Sequence, residues 1–78
     1  MTAVVDLSSL KPGSKAVVVA VEAGYGLRNR LYQMGLTPGT EVEVAGVIGG
    51  NIEVKFRGTT AVLSRGIAKK ILVSPVQL

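Results

Sequence analysis

Glu41-Val42-Glu43-Val44-Ala45-Gly46-Val47-Ile48-Gly49-Gly50-Asn51-Ile52-Glu53-Val54-Lys55-Phe56-Arg57 reads as two strands joined by a glycine turn. Val42 and Val44 point one way and Glu41 and Glu43 the other, and Ile52, Val54 and Phe56 repeat the pattern against Glu53, Lys55 and Arg57. Alternation with period two marks a strand with one buried face. The turn sets the register, because directly opposed residues share a face. A three-residue loop, Gly49-Gly50-Asn51, places Ile48 against Ile52, Val44 against Phe56 and Glu43 against Arg57. A two-residue Gly-Gly turn places Val44 against Lys55 unless a bulge intervenes, and Gly46 is the residue to carry one. The odd loop satisfies the pattern without a bulge, and both arrangements remain open at this point.

Downstream, Arg57-Gly58-Thr59-Thr60 has glycine at the first central position of a second hairpin turn, which suits type II′. That register sets Phe56 opposite Ala61 and Val54 opposite Leu63. Ser64 to Lys70 reads as one helical turn and Ile71-Leu72-Val73 as a last strand before Pro75. Upstream, Lys11-Pro12-Gly13-Ser14 is a turn, and Lys15 to Glu22 is a strand apolar on both faces, with Val17 and Val19 taken as inward. The inward set is Val17, Val19, Val42, Val44, Ile52, Val54, Phe56, Leu63 and Ile71. Between the first two strands Leu27, Leu31 and Met34 fall at i, i+4 and i+7, the spacing of one helical face. Gly35 stands where a left-handed residue ends a helix, Leu36 follows to pack back on the last turn, and Pro38-Gly39 turns the chain into the next strand. These elements predict an all-β fold with a short helix: a small five-stranded SH3-like barrel, lidded at one end by the helix near Leu27–Met34.

The chain has 78 residues, enough for one domain, and 47% of them are hydrophobic with valine dominant. Residues 1–78 are therefore read as a single domain with its core at about 7–75. It contains no cysteine, which excludes a disulfide framework and a thiolate metal site. The start Met1-Thr2-Ala3-Val4-Val5-Asp6 lacks the basic, apolar pattern of a signal peptide, and the apolar run Ala16–Val21 is too short to span a bilayer. The expectation is a soluble cytoplasmic protein, with a monomer as the default state.

Catalysis is not expected. Histidine is absent, and the five carboxylates are Asp6, Glu22, Glu41, Glu43 and Glu53. Glu41 and Glu43 share a strand face and are the weak metal candidates; the alternative is a solvated face with cross-strand partners Lys55 and Arg57. A transition-metal site normally shows an imidazole or thiolate ligand, so no metal or cofactor is expected. Nine basic residues give a net charge of +4, either as solubility charge or as an electropositive face for an acidic protein or a nucleic acid. Single-strand recognition leans on exposed aromatics, and here Tyr25 and Tyr32 are the most on offer, Phe56 being inward. The stripe Leu27, Leu31 and Met34 is core, or core that leaves a cleft for a partner's apolar segment, with Leu36 beside it. Arg28, Arg30 and Tyr32 are taken as its outward neighbours, of types enriched in interface anchors.

Three stretches carry a resemblance: Leu7-Ser8-Ser9-Leu10-Lys11-Pro12-Gly13, then Arg28 to Gly39, then Gly58-Thr59-Thr60-Ala61-Val62-Leu63-Ser64-Arg65 with Ala68-Lys69-Lys70-Ile71-Leu72-Val73. Together they resemble the FeoA family over about Leu7 to Val73, with Met34 where leucine is commoner before the glycine. The resemblance implies a small cytoplasmic adaptor of ferrous iron uptake. Its partner would be the membrane iron transporter that carries a GTPase domain, bound through the helix and following turn by Leu27, Arg28, Arg30, Leu31, Tyr32, Met34 and Leu36. The same fold is appended to iron- and manganese-dependent repressors, so a stand-alone relative of that domain is an alternative, as is a basic barrel that binds RNA.

Overall fold

The computed structural model describes residues 3–76. Six strands form one antiparallel sheet: β1 (Val5–Asp6), β2 (Lys15–Val21), β3 (Glu41–Ile48), β4 (Asn51–Phe56), β5 (Thr59–Ser64) and β6 (Ile71–Pro75), in the order β1-β6-β2-β3-β4-β5. A 3-10 turn, Leu7–Ser9, follows β1; helix α1 (Tyr25–Met34) joins β2 to β3; and α2 (Arg65–Ala68) joins β5 to β6. The sheet coils around a core of Leu7, Ala16, Val18, Val21, Val42, Val44, Ile52, Val54, Phe56, Leu63, Ile71 and Val73, closed from the ends by Leu31, Leu36 and Ala68. α2 packs against β4, β5 and the 3-10 turn, and so covers the gap between the outer strands of the sheet. Ser64 starts it, its Oγ accepting from the Ile67 N–H at 3.2 Å.

The expected barrel is present with one more strand. β1 is only two residues long, Val5 opposite Val73 and Asp6 opposite Leu72, too short for alternation to show. The β3–β4 turn is the two-residue Gly49-Gly50, with Ile48 opposite Asn51, so the three-residue loop does not form. A bulge between Val44 and Gly46 restores the faces, setting Val44 opposite Val54 and Glu43 opposite Lys55. One inserted residue does what the odd loop would have done. The β4–β5 turn is shifted too: Arg57 and Gly58 are both left-handed, at φ 53° and 73°, which is a type I′ turn. The central pair is Arg57-Gly58 and not Gly58-Thr59, so Phe56 faces Thr59, Val54 faces Ala61 and Ile52 faces Leu63, and the expected pairs Phe56–Ala61 and Val54–Leu63 do not form.

In β2 the inward residues are Ala16, Val18 and Val21, not Val17 and Val19. Val18 pairs with Val73 and Ala20 with Leu72, which leaves Val19 as the extra residue of a bulge, 43% exposed. An all-apolar strand carries no internal signal of which face is which; the neighbouring register decides, through Ala16 opposite Val42.

Candidate functional site

α1 begins at Gly24-Tyr25 with no side-chain cap and no acidic residue in its first turn, so it gains little from local sequence at that end. What fixes it lies at its other end. The Gly35 N–H donates to the Tyr32 carbonyl and the Leu36 N–H to the Leu31 carbonyl, both at 3.0 Å. With Gly35 at φ 108° this is a Schellman motif, and its apolar contact joins Leu36 to Leu31. Both leucines are buried.

The turn that follows is latched to the sheet. Thr40 donates its N–H to the Thr37 carbonyl at 3.0 Å across Pro38-Gly39, with Gly39 at φ 94°, a type II turn. The Gly39 N–H donates to the Val18 carbonyl and the Val18 N–H to the Thr40 carbonyl, both at 2.8 Å. The Thr40 side chain is buried and donates from Oγ1 to the Gly35 carbonyl at 2.9 Å, satisfying one of the helix-end acceptors. Thr37 Oγ1 lies 3.1 Å from Thr40 Oγ1. A polar knot thus ties the end of α1 to β2 and β3.

Gly35 also meets the β4–β5 turn. A Cβ built on it would stand 3.5 Å from the Phe56 ring and 3.5 Å from Arg57 Cδ, so the stem of Arg57 lies beside the helix exit. The surface around that exit comprises exposed Arg30, Gln33 and Met34 on α1 together with exposed Arg57 and Gly58. At the far end of α1, Tyr25 is 73% exposed, with the Arg28 guanidinium 6.0 Å from its ring centroid, the outer limit of a cation–π contact.

The residues expected to meet a partner divide three ways. Leu31 and Leu36 are buried, which places them in the core and off the surface. Leu27, Arg28 and Tyr32 are half-buried, and Leu27 and Tyr32 pack against the core. Arg30 and Met34 are exposed, Met34 by 45%. The three-residue apolar stripe is therefore cut at Met34, because the Schellman turn brings Leu36 onto Leu31 in its stead. Tyr32 packs inward, and the free aromatic is Tyr25. Arg57 joins the site only through the fold: its place beside Gly35 is a tertiary fact, set by a left-handed turn centred on Arg57 and Gly58.

Glu43 is half-buried on the outer face, opposite Lys15 on β2 and Lys55 on β4. Its cross-strand neighbours are thus two lysines, Lys15 and Lys55, in place of the expected Arg57. Glu41 lies opposite Val17. Among the described residues no group of three or more His, Cys, Asp or Glu side chains is placed to hold a metal ion. A cleft of about 230 Å³ lies elsewhere, lined by Leu10, Gly13, Ser14, Lys15, Pro75 and Val76 at the start of β2 and the end of β6. No helix among the described residues is long and apolar enough to cross a membrane.

The FeoA domain family matches this chain over residues 5–75. An Fe(2+) transport protein A of Methanocaldococcus jannaschii is 30% identical over 71 residues, which cover 91% of this chain and 87% of that protein. The solved structure of an FeoA-like protein from Clostridium acetobutylicum superposes with a TM-score of 0.88 over 100% of this chain and 93% of its own, at 28% identity. A manganese-dependent transcriptional repressor carries the same fold in 44% of its length, matching 97% of this chain with a TM-score of 0.87 at 18% identity. That last likeness concerns the fold alone.

Proposed function

The chain belongs to the FeoA family, and on that premise we propose that it is a non-enzymatic cytoplasmic accessory protein of ferrous iron uptake that docks on the cytoplasmic part of the membrane iron transporter bearing a GTPase domain. The observation that supports docking at α1 is the helix exit, where Met34 is 45% exposed beside exposed Arg30. An apolar side chain left open on the same helix as an exposed arginine one turn before it fits the interface types that anchor protein partners. Iron in this reading is the transporter's cargo. This chain has neither histidine nor cysteine and offers it no imidazole or thiolate ligand.

The test is a binding measurement between the transporter's purified cytoplasmic domain and this protein, parent against Arg30→Glu. Arg30 is exposed, so the reversal leaves the core untouched and acts on association with an acidic surface. Retention by the parent and at least fivefold weaker retention by the variant supports the reading. Equal retention overturns docking through α1. Binding of random-sequence RNA with a steep salt slope transfers the function to nucleic acid.

A further inference from the structure

We propose that Arg57 is a partner-binding residue of this surface, placed at the β4–β5 turn to receive a carboxylate from an acidic protein segment lying across the exit of α1. This deepens the docking reading and rests on it.

Arg57 is the one non-glycine residue with positive φ among the described residues, at 53°. The first central position of a type I′ turn favours Asn, Asp or Gly, because a longer side chain is strained in the left-handed region. An arginine there makes a poorer turn than asparagine would, and what it adds is its side chain. That side chain is exposed, and its stem runs alongside Gly35, with Cδ 3.5 Å from where a Cβ on that glycine would stand. The fold thereby sets Arg57 in the same patch as the end of α1, although 22 positions separate Gly35 from Arg57 in the sequence.

The charge distribution identifies the occupant. From Ala23 to Thr40 the ionised side chains are Arg28 and Arg30, and from Val54 to Val76 they are Lys55, Arg57, Arg65, Lys69 and Lys70. Neither segment holds a carboxylate. The carboxylate nearest in register is Glu41, which opens β3 two residues before Glu43, the partner of Lys55. A surface with exposed Met34, Arg30 and Arg57 fits an acidic segment with an apolar side chain among its carboxylates, the guanidinium taking a carboxylate in two-pronged geometry.

Two measurements test this. In the first, the isotope-labelled protein is titrated at low salt with a peptide of alternating glutamate and leucine, and amide shifts are followed. In the second, the transporter's cytoplasmic domain is the ligand. The variants are Arg57→Asn, which suits the left-handed turn and removes the charge, Arg57→Lys, which keeps a charge but not the fork, and Glu41→Gln. Expected are peptide-induced shifts at Gly35, Leu36, Arg57 and Gly58, affinity at least fivefold lower for Arg57→Asn with Tm unchanged or raised, an intermediate value for Arg57→Lys, and equal or tighter binding for Glu41→Gln. Peptide affinity indifferent to Arg57→Asn overturns the proposal. So does a matched fall in Tm for Arg57→Asn and Glu41→Gln, which would make Arg57 the partner of Glu41 within the chain. If the peptide responds as expected while the transporter domain binds neither parent nor variants, the acidic-partner assignment stands and the transporter reading falls.

Discussion

The β3–β4–β5 meander and the α1 segment are held by different forces. In the meander Val42, Val44, Ile52, Val54, Phe56 and Leu63 are all at most 5% exposed, so six of its side chains are core. In α1 the sole buried residue is Leu31, the N-terminus is uncapped, and the helix is fixed from its C-terminal end by backbone hydrogen bonds, Leu36 and the Thr40 hydroxyl. Burial of apolar area is non-directional and accumulates over many contacts. A hydrogen-bonded knot depends on a few atoms, and each becomes costly when its partner is removed. The meander should therefore fail globally and the helix locally.

Phe56→Ala gives the largest effect and addresses the meander directly. The ring is 3% exposed and lies under both the hairpin and Gly35, so truncation should cost about 3–5 kcal/mol through lost transfer energy and a cavity. That is a large part of the stability of a domain this size. Urea unfolding measures it; a midpoint close to the parent's would mean that the core closes around the vacancy and the meander does not carry the fold.

Thr40→Ala comes next and probes the knot. It leaves the Gly35 carbonyl without the hydroxyl that satisfies it, a loss of about 1–2 kcal/mol for a part-buried acceptor. The contrast with Phe56→Ala lies in where the loss is felt. Hydrogen exchange should speed at the Gly35, Leu36 and Gly39 amides while the β4 and β5 amides keep most of their protection. Uniform acceleration over the whole sheet would show that knot and meander are one cooperative unit. Gly35→Ala tests the same knot from the backbone: its Cβ would have ordinary contact distances of 3.5 Å, so the cost, about 1 kcal/mol, comes from φ 108° and not from collision.

The same division governs what the sequence discloses. The alternation from Glu41 to Arg57 fixes strands and faces, and the i, i+4, i+7 spacing with Gly35 fixes α1 and its stop, since both patterns are local. Register is only partly local: Gly49-Gly50 admits two loops, and the choice falls to a bulge beside Gly46 that glycine permits but does not announce. Lys15–Val21 is apolar on both faces, so its pattern serves Val17 and Val19 as well as Ala16 and Val18; Ala16 opposite Val42 decides for the latter pair, and the bulge at Val19 then makes Val21, not Ala20, the next inward residue. At the candidate site the residue types were legible and their exposure was not. Leu31, Tyr32 and Leu36 turn inward and Met34 outward because a Schellman turn substitutes Leu36 in the stripe. The contact of Gly35 with Arg57 joins segments that no periodicity links.

Met34→Ala carries the smallest effect on stability and the sharpest reading of the α1 surface. Met34 is the third member of the stripe whose second, Leu31, is 2% exposed, yet it is itself 45% exposed at the last helical position. Alanine has the higher helix propensity, and the side chain removed is half in solvent already, so stability should stay within about 0.5 kcal/mol of the parent. Leu31→Ala, by contrast, removes a core side chain and should cost about 2–5 kcal/mol. If Met34 is exposed because it serves a partner, the variant should lose affinity for the transporter's cytoplasmic domain while melting with the parent. Two results would count against this. Destabilisation comparable to that of Leu31→Ala would mean that Met34 packs in solution and the stripe is whole. Unchanged affinity with unchanged melting would leave Met34 as a solvent-facing side chain at a helix end, and the binding energy of the α1 surface would then rest on its arginines alone.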